Sequence, residues 1–184
     1  MNAIELLVNE HDSILKMIQV TKTMLDSSRN TPLRVDHLEQ VVDFIKNFAD
    51  KYHHLKEEDV LFVEMESHGM SRENGPIAVM LHEHNQGRAY IAKAVEAIEL
   101  YKTGDQTSLE VIEVNLLNYC DLLTNHINKE NTILYPMAER ILPKQLIESM
   151  SKDFESSIAT TQNNEYVEVY LKRVDEFVRF YLND

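Results

Sequence analysis

The sequence holds one cysteine, no tryptophan, four glycines and four prolines among 184 residues. A single cysteine, Cys120, rules out an internal disulfide framework and a thiolate-built zinc or iron–sulfur site. Set in the helical run LLNYCDLL, it reads as a small core residue. So few glycines and prolines cannot supply the tight turns of an all-β protein. Positive charge is scarce as well: 18 Lys and Arg stand against 31 Asp and Glu, a formal net charge of −13. That balance argues against a nucleic-acid backbone or an anionic membrane as partner. There is no run of 18 apolar residues and no basic segment leading into an apolar one, so the expected setting is a reducing cytoplasm.

What remains is a chain of good helix formers, 43% hydrophobic, with apolar residues spaced near the helical period almost throughout. A first helix is expected over roughly 3–27, with Ile4, Leu7, Val8, His11, Ile14, Leu15 and Ile18 on one face. Thr31-Pro32 supplies an N-cap with proline at the first helical position, and the second helix then runs to about Ser67. SHGMSRENG, residues 67–75, reads as a loop. Pro76 opens a third helix that stops near Gly104. Thr107 and Glu110 have capping-box spacing, and a fourth helix extends to about Ile141 with Pro136 kinking its last turns. Short connections make successive helices antiparallel, so residues 1–141 should form an all-α, up-down-up-down four-helix bundle.

Residues 142–184 form a helical extension in this reading. A fifth helix follows Pro143 in KQLIESMSKDF. A last one over 164–182 carries the stripe Val167, Tyr170, Leu171, Val174, Phe177, Val178 and Tyr181. That stripe must cover the bundle's flank or a partner subunit, the latter giving a homo-oligomer through the C-terminal helix.

The chain repeats itself. Sliding it by 73 residues places Glu10 on Glu83, His11 on His84, His53 on His126, Lys56 on Lys129 and Glu57 on Glu130. Leu61 falls on Leu134 and Phe62 on Tyr135. YHHLKEEDVLF contains a second i,i+4 pair, His54 and Glu58, but the same shift puts these on Ile127 and Asn131. Neighbours on an α-helix point about 100° apart, so both pairs should not face one site, and the repeat selects His53 and Glu57. Each half thus reads His, then 42 positions on His-x3-Glu.

Two helices would each project one histidine inward, and two a histidine with a glutamate. Pseudo-twofold symmetry then gathers His11, His53, Glu57, His84, His126 and Glu130 at one level of the bundle. Two buried carboxylates without compensation cost several kcal/mol. A pair of divalent cations offsets that cost, and these six residues are the candidate metal ligands. His37 and His68 fall outside the pattern and are expected at the surface. His54 and His82 are expected to face solvent or support the ligands from outside. Tyr52, Tyr90 and Tyr119 are candidates for outer hydrogen bonds.

These residues, with the phrases EHD, HHLKEEDVLF, GPIAVMLHEHNQGRAYI and HINKENTILYPMA, resemble the hemerythrin-like HHE cation-binding domain over roughly 1–140. The resemblance implies a non-haem di-iron centre, oxo- or hydroxo-bridged, in a four-helix bundle, with four terminal histidines and two bridging glutamates. Manganese or zinc are alternative metals for such ligands. The oxygen-carrying hemerythrins have a fifth histidine where this chain has Met80, and an aspartate five residues after the last histidine where Glu130 stands at four. The symmetric set is closer to the bacterial branch. Open coordination positions imply a small diatomic or peroxide ligand. The leading expectation is a protein that binds or senses dioxygen, nitric oxide or peroxide, or handles iron. A di-iron enzyme decomposing peroxide or oxidising Fe(II), and an interaction module with structural metal, are the alternatives.

Overall fold

A computed structural model of the chain describes residues 1–27, 32–158 and 164–182, and every regular element among them is helical. Helix α1 (Ala3–Ser27) opens on a reciprocal cap. Asn2 Oδ1 accepts from the Glu5 amide at 3.0 Å, and Glu5 Oε2 accepts from the Asn2 amide at 2.9 Å. Its buried face follows the expected stripe through His11 and Ile18 and continues to Met24, while Val8 faces solvent. Helix α2 starts at Val35–Phe44 and continues through π-helical stretches, Ile45–His54 and Glu57–Leu61, into Phe62–Ser67. Its first turn lies beyond Pro32, not at it; Thr31 lies outside the described residues.

Helix α3 (Pro76–Lys102) follows Gly75, whose φ of +85° only glycine adopts without strain. It ends where Gly104, at φ +99°, turns the chain and the Asp105 amide reaches back to the Leu100 carbonyl. Helix α4 comprises Ser108–Lys129, a π-helical stretch Glu130–Leu134, and Tyr135–Ile141. The capping box expected at its start does not form: the Thr107 hydroxyl instead donates to Asp105 Oδ1 at 2.6 Å. Pro136 stands just past the wide π turns, at the start of the Tyr135–Ile141 segment, where a missing N–H is tolerated.

These four helices form the bundle, and its interior divides into two apolar clusters. One runs from Ile14 and Met17 through Phe44, Phe48, Ile91 and Leu116. The other gathers Ile4, Leu7, Leu61, Phe62, Ile77, Met80, Leu134 and Tyr135. The candidate ligands lie in the chain between the segments that feed the two clusters.

Helix α5 (Lys144–Ile158) adds Ile147, Met150 and Phe154 to the second cluster. Helix α6 (Asn164–Tyr181) adds Tyr170, Val174 and Phe177 to the first. The stripe of α6 therefore covers the flank of the bundle itself, pinned by Arg173 to Asp43 at 2.5 Å and by Tyr181 to His37 Nδ1 at 2.5 Å. Leu171 is left exposed. Among the described residues no helix is long and apolar enough to cross a membrane.

Candidate metal centre

Three of the six candidate ligands, His53, Glu57 and Glu130, lie in the π-helical stretches of α2 and α4. A π turn is wider than an α turn, so neighbouring side chains diverge less in angle, and such turns gather at functional sites. This winding lets α2 turn His53 and His54 inward together. All six candidate ligands are at most 2% exposed, and they meet in two overlapping groups. His11, His53, Glu57 and Glu130 form one; Glu57, His84, His126 and His54 form the other, with ligand atoms in each group within 4.8 Å.

The imidazole protons can be placed. Every Nδ1 of the four expected histidines faces an oxygen acceptor. His53 Nδ1 donates to Glu10 Oε2 at 2.9 Å, His126 Nδ1 to Glu83 Oε2 at 3.0 Å, His84 Nδ1 to Glu58 Oε1 at 2.7 Å, and His11 Nδ1 to Asn131 Oδ1 at 2.9 Å. A neutral ring with its proton on Nδ1 presents a bare lone pair at Nε2. All four Nε2 atoms point inward: His11 and His53 approach at 2.9 Å, His84 and His126 at 3.0 Å. Glu130 spans the two pairs, 3.2 Å from His11 Nε2 and 3.0 Å from His126 Nε2. Glu57 Oε2 lies 3.8 Å from His53 Nε2 and 3.5 Å from His84 Nε2.

Despite these approaches, Glu57 Oε2 and both oxygens of Glu130 have no hydrogen-bond partner. Among the described residues the donor from outside the ligand set is the Tyr135 hydroxyl, 2.7 Å from Glu57 Oε1. Two carboxylates and four inward-facing Nε2 atoms thus converge on one buried volume, with few donors aimed at them among the described residues. Such an acceptor-rich cluster is unfavourable until positive charge enters it, and the donor chemistry fits a pair of cations held by nitrogen and oxygen.

The titration behaviour agrees. Burial, followed by the charge of Glu130, raises Glu57 well above the usual carboxylate range. Burial opposes charge on His126 too, but Glu130 and Glu83 outweigh it and push its pKa up to about 9. Burial also works against ionised Glu130, yet His126 and His11 hold it well below the ordinary carboxylate value. His53 and His84 are lowered, chiefly by burial.

A ring of outer partners fixes the ligands, as second-shell groups do at metal sites. Glu10 is paired with Lys56, and Glu83 with Lys129, behind His53 and His126. These pairs were visible in the 73-residue repeat as Glu10/Glu83 and Lys56/Lys129, though their partners were not. Glu58 and Asn131 also occupy one repeat position, and each supports the first histidine of the opposite half. Arg88 has no charged counterpart in the first half; it binds Glu58 Oε1 and Asp50 Oδ1, both at 2.7 Å.

One expectation needs correcting, that for His37, and those for His54 and the tyrosines are narrowed. His54 is buried, not solvent-facing: its ring stacks on His84 at 3.9 Å, and Asp50 Oδ1 lies 3.3 Å from its Nδ1. His37 is covered by α6, packed between Phe177, Phe180 and Tyr181. Tyr52 hydrogen-bonds Glu10 behind His53, as an outer partner, and lies beneath the Lys56 ammonium at 3.5 Å. Tyr90 instead accepts from Gln86 at 3.0 Å, and the tyrosine that reaches a candidate ligand directly is Tyr135. His68 and His82 are exposed as expected.

A family model described as the hemerythrin HHE cation-binding domain matches residues 2–138. No curated protein and no solved structure matches the chain.

Proposed function

The chain belongs to the hemerythrin HHE cation-binding family, and on that premise we propose that it holds a pair of iron ions and uses them to bind or sense dioxygen, nitric oxide or peroxide. His11 and His53 would hold one ion, His84 and His126 the other, with Glu57 and Glu130 shared between them. Bound iron would supply redox-active positions open to such small molecules. The protein's own groups set the frame: Glu10, Glu83, Glu58 and Asn131 fix the ring orientation that aims each Nε2 inward, and Tyr135 holds Glu57 by one oxygen.

One observation carries this reading: four inward Nε2 atoms and three carboxylate oxygens without a hydrogen-bond partner among the described residues share one buried volume. The absence of thiolate favours iron or manganese over a softer site, since Cys120 is buried with its thiol directed at the Ile18 carbonyl, 4.0 Å away. The test is elemental analysis of protein purified without oxygen, then optical spectra as air is admitted. Two irons per chain and near-ultraviolet bands growing in air are expected, with Glu57→Ala losing the stoichiometry. Zinc in both positions would overturn the redox role, and a protein that takes up no metal would overturn the whole reading.

A further inference from the structure

The two halves of the repeat agree at the ligands but not around them. A cavity of about 370 Å³ opens onto His54, His84 and His126. The matching face of the other half is filled, leaving only about 10 Å³ beside Ile14 and Ile18. One cause is visible residue by residue. Gly87 stands where the first half has Ile14, three positions after each lone histidine. Ile14 is buried in the core, and Gly87 leaves that volume to the cavity.

Its volume and lining describe an occupant. A diatomic molecule needs little more than one water's share, ~30 Å³, roughly a twelfth of this space. The volume is instead that of a small organic-ligand pocket. Ile45, Ile91, Val95, Leu122 and Leu123 provide apolar walls. At the charged margin Lys46 and Arg88 face Asp50, Glu83 and Glu96, and Arg88 is already engaged by Asp50 and Glu58, so negative charge prevails and an anionic ligand is disfavoured. Tyr119 also lines the cavity, and its ring is buried while its hydroxyl makes no hydrogen bond among the described residues. That leaves one donor for an oxygen on the ligand.

We propose that this cavity binds an uncharged organic molecule of about ten non-hydrogen atoms, with an apolar body against the walls and a single oxygen-bearing head, hydroxyl, carbonyl or hydroperoxyl, directed at Tyr119 and the His54 side of the centre. It rests on the metal-centre reading only for what the head meets; the walls and Tyr119 belong to the protein alone.

The probe is 2-phenylpropan-2-ol, titrated by calorimetry into metal-free protein and into protein loaded with redox-silent zinc, with metal content measured on the same samples. Saturable binding of one molecule per chain is expected in both. Gly87→Ile, which installs the residue of the other half, should weaken it at least tenfold. The Cβ at position 87 would meet the Tyr119 ring at 3.4 Å, a contact that a small ring shift relieves. Should that variant fold poorly, Ala92→Trp at the exposed rim closes the same space and is expected to have the same effect. Tyr119→Phe should weaken binding about fivefold, the share of one hydrogen bond, and 2-methyl-2-phenylpropanoate should bind metal-free protein more weakly than the alcohol. No saturable binding, or affinity unchanged by both filling variants, overturns the proposal. Probe binding without metal uptake would retain the cavity and remove the metal reading; two metals without probe binding would do the reverse.

Discussion

Loading the centre with cations should expel protons, and the structure indicates how many. In the cation-free protein Glu57 is raised well above the carboxylate range by burial and by Glu130. His126 is pushed up to about 9, where Glu130 and Glu83 outweigh its burial. His126 therefore carries a proton at pH 7, and the shift of Glu57 favours its protonated form. Those protons supply the positive charge that the converging acceptors otherwise lack. Metal coordination requires the carboxylate and the neutral imidazole, so occupancy of both cation positions releases at least the His126 proton, with Glu57 adding to the release. Linkage fixes the sign: affinity rises with pH, by at least about tenfold per unit near pH 7 for the overall uptake. The slope lessens above pH 9, where His126 loses its proton without help. Zinc titrations by calorimetry, in buffers of different protonation enthalpy, count the protons directly. A release near zero at pH 7 would refute the reasoning. It would mean that two carboxylates and four lone pairs sit together with no charge to offset them.

Other expectations follow from single contacts. Tyr135→Phe removes the hydroxyl that donates to Glu57 Oε1 at 2.7 Å, but Phe62 already occupies the matching repeat position, so the ring should still pack. Urea denaturation of the cation-free variant should show a loss of about 1–3 kcal/mol with unchanged helix content. Phe177→Ala empties a buried place between α6 and the bundle and should cost about 3–5 kcal/mol, while metal stoichiometry stays the same. His54 is held down to about 3 by burial and then by His84, from an ordinary 6.5. Its folded value lies below its unfolded one, so its contribution is fully present above pH 6.5 and is lost as pH falls toward 3. His54→Ile, the residue of the other half, should flatten the acid loss of cation-free stability; an unchanged profile would count against a buried neutral His54.

Much of this was legible in the chain because it rests on periodicity. Helix spacing locates α1, α3 and the three-residue and four-residue rhythm of α6, and a fixed offset of 73 singles out the six inner residues. What failed did so for local reasons. On an α-helix His53 and His54 would not both face inward, but α2 is wound as a π-helix at that point. No composition rule signals π turns. Thr107 and Glu110 have the spacing of a capping box, but Asp105 competes for the Thr107 hydroxyl and wins at 2.6 Å. His37 looks like a surface residue until α6, 144 residues from it at Tyr181, folds over it. Such contacts join parts of the chain that share no pattern.

The repeat also explains why the centre is lopsided. A perfectly duplicated bundle would present two equal cation positions and two equal entries. Here the inner residues are kept while the outer ones differ: His54 faces Ile127 across the repeat, Asp50 faces Leu123, Arg88 faces Leu15 and Gly87 faces Ile14. On one side the substituents are apolar and fill space; Ile14, Leu123 and Ile127 are all buried. On the other they are polar or absent, leaving an additional imidazole and open volume. Each change in isolation would be less favourable, because Asp50 and Arg88 are both half-buried and each would lose its charge partner. Together they satisfy one another, through Asp50–Arg88–Glu58–His84 and Asp50–His54. The asymmetry is therefore a set of residues that only make sense jointly, and it puts the open side of the centre at the second half of the repeat.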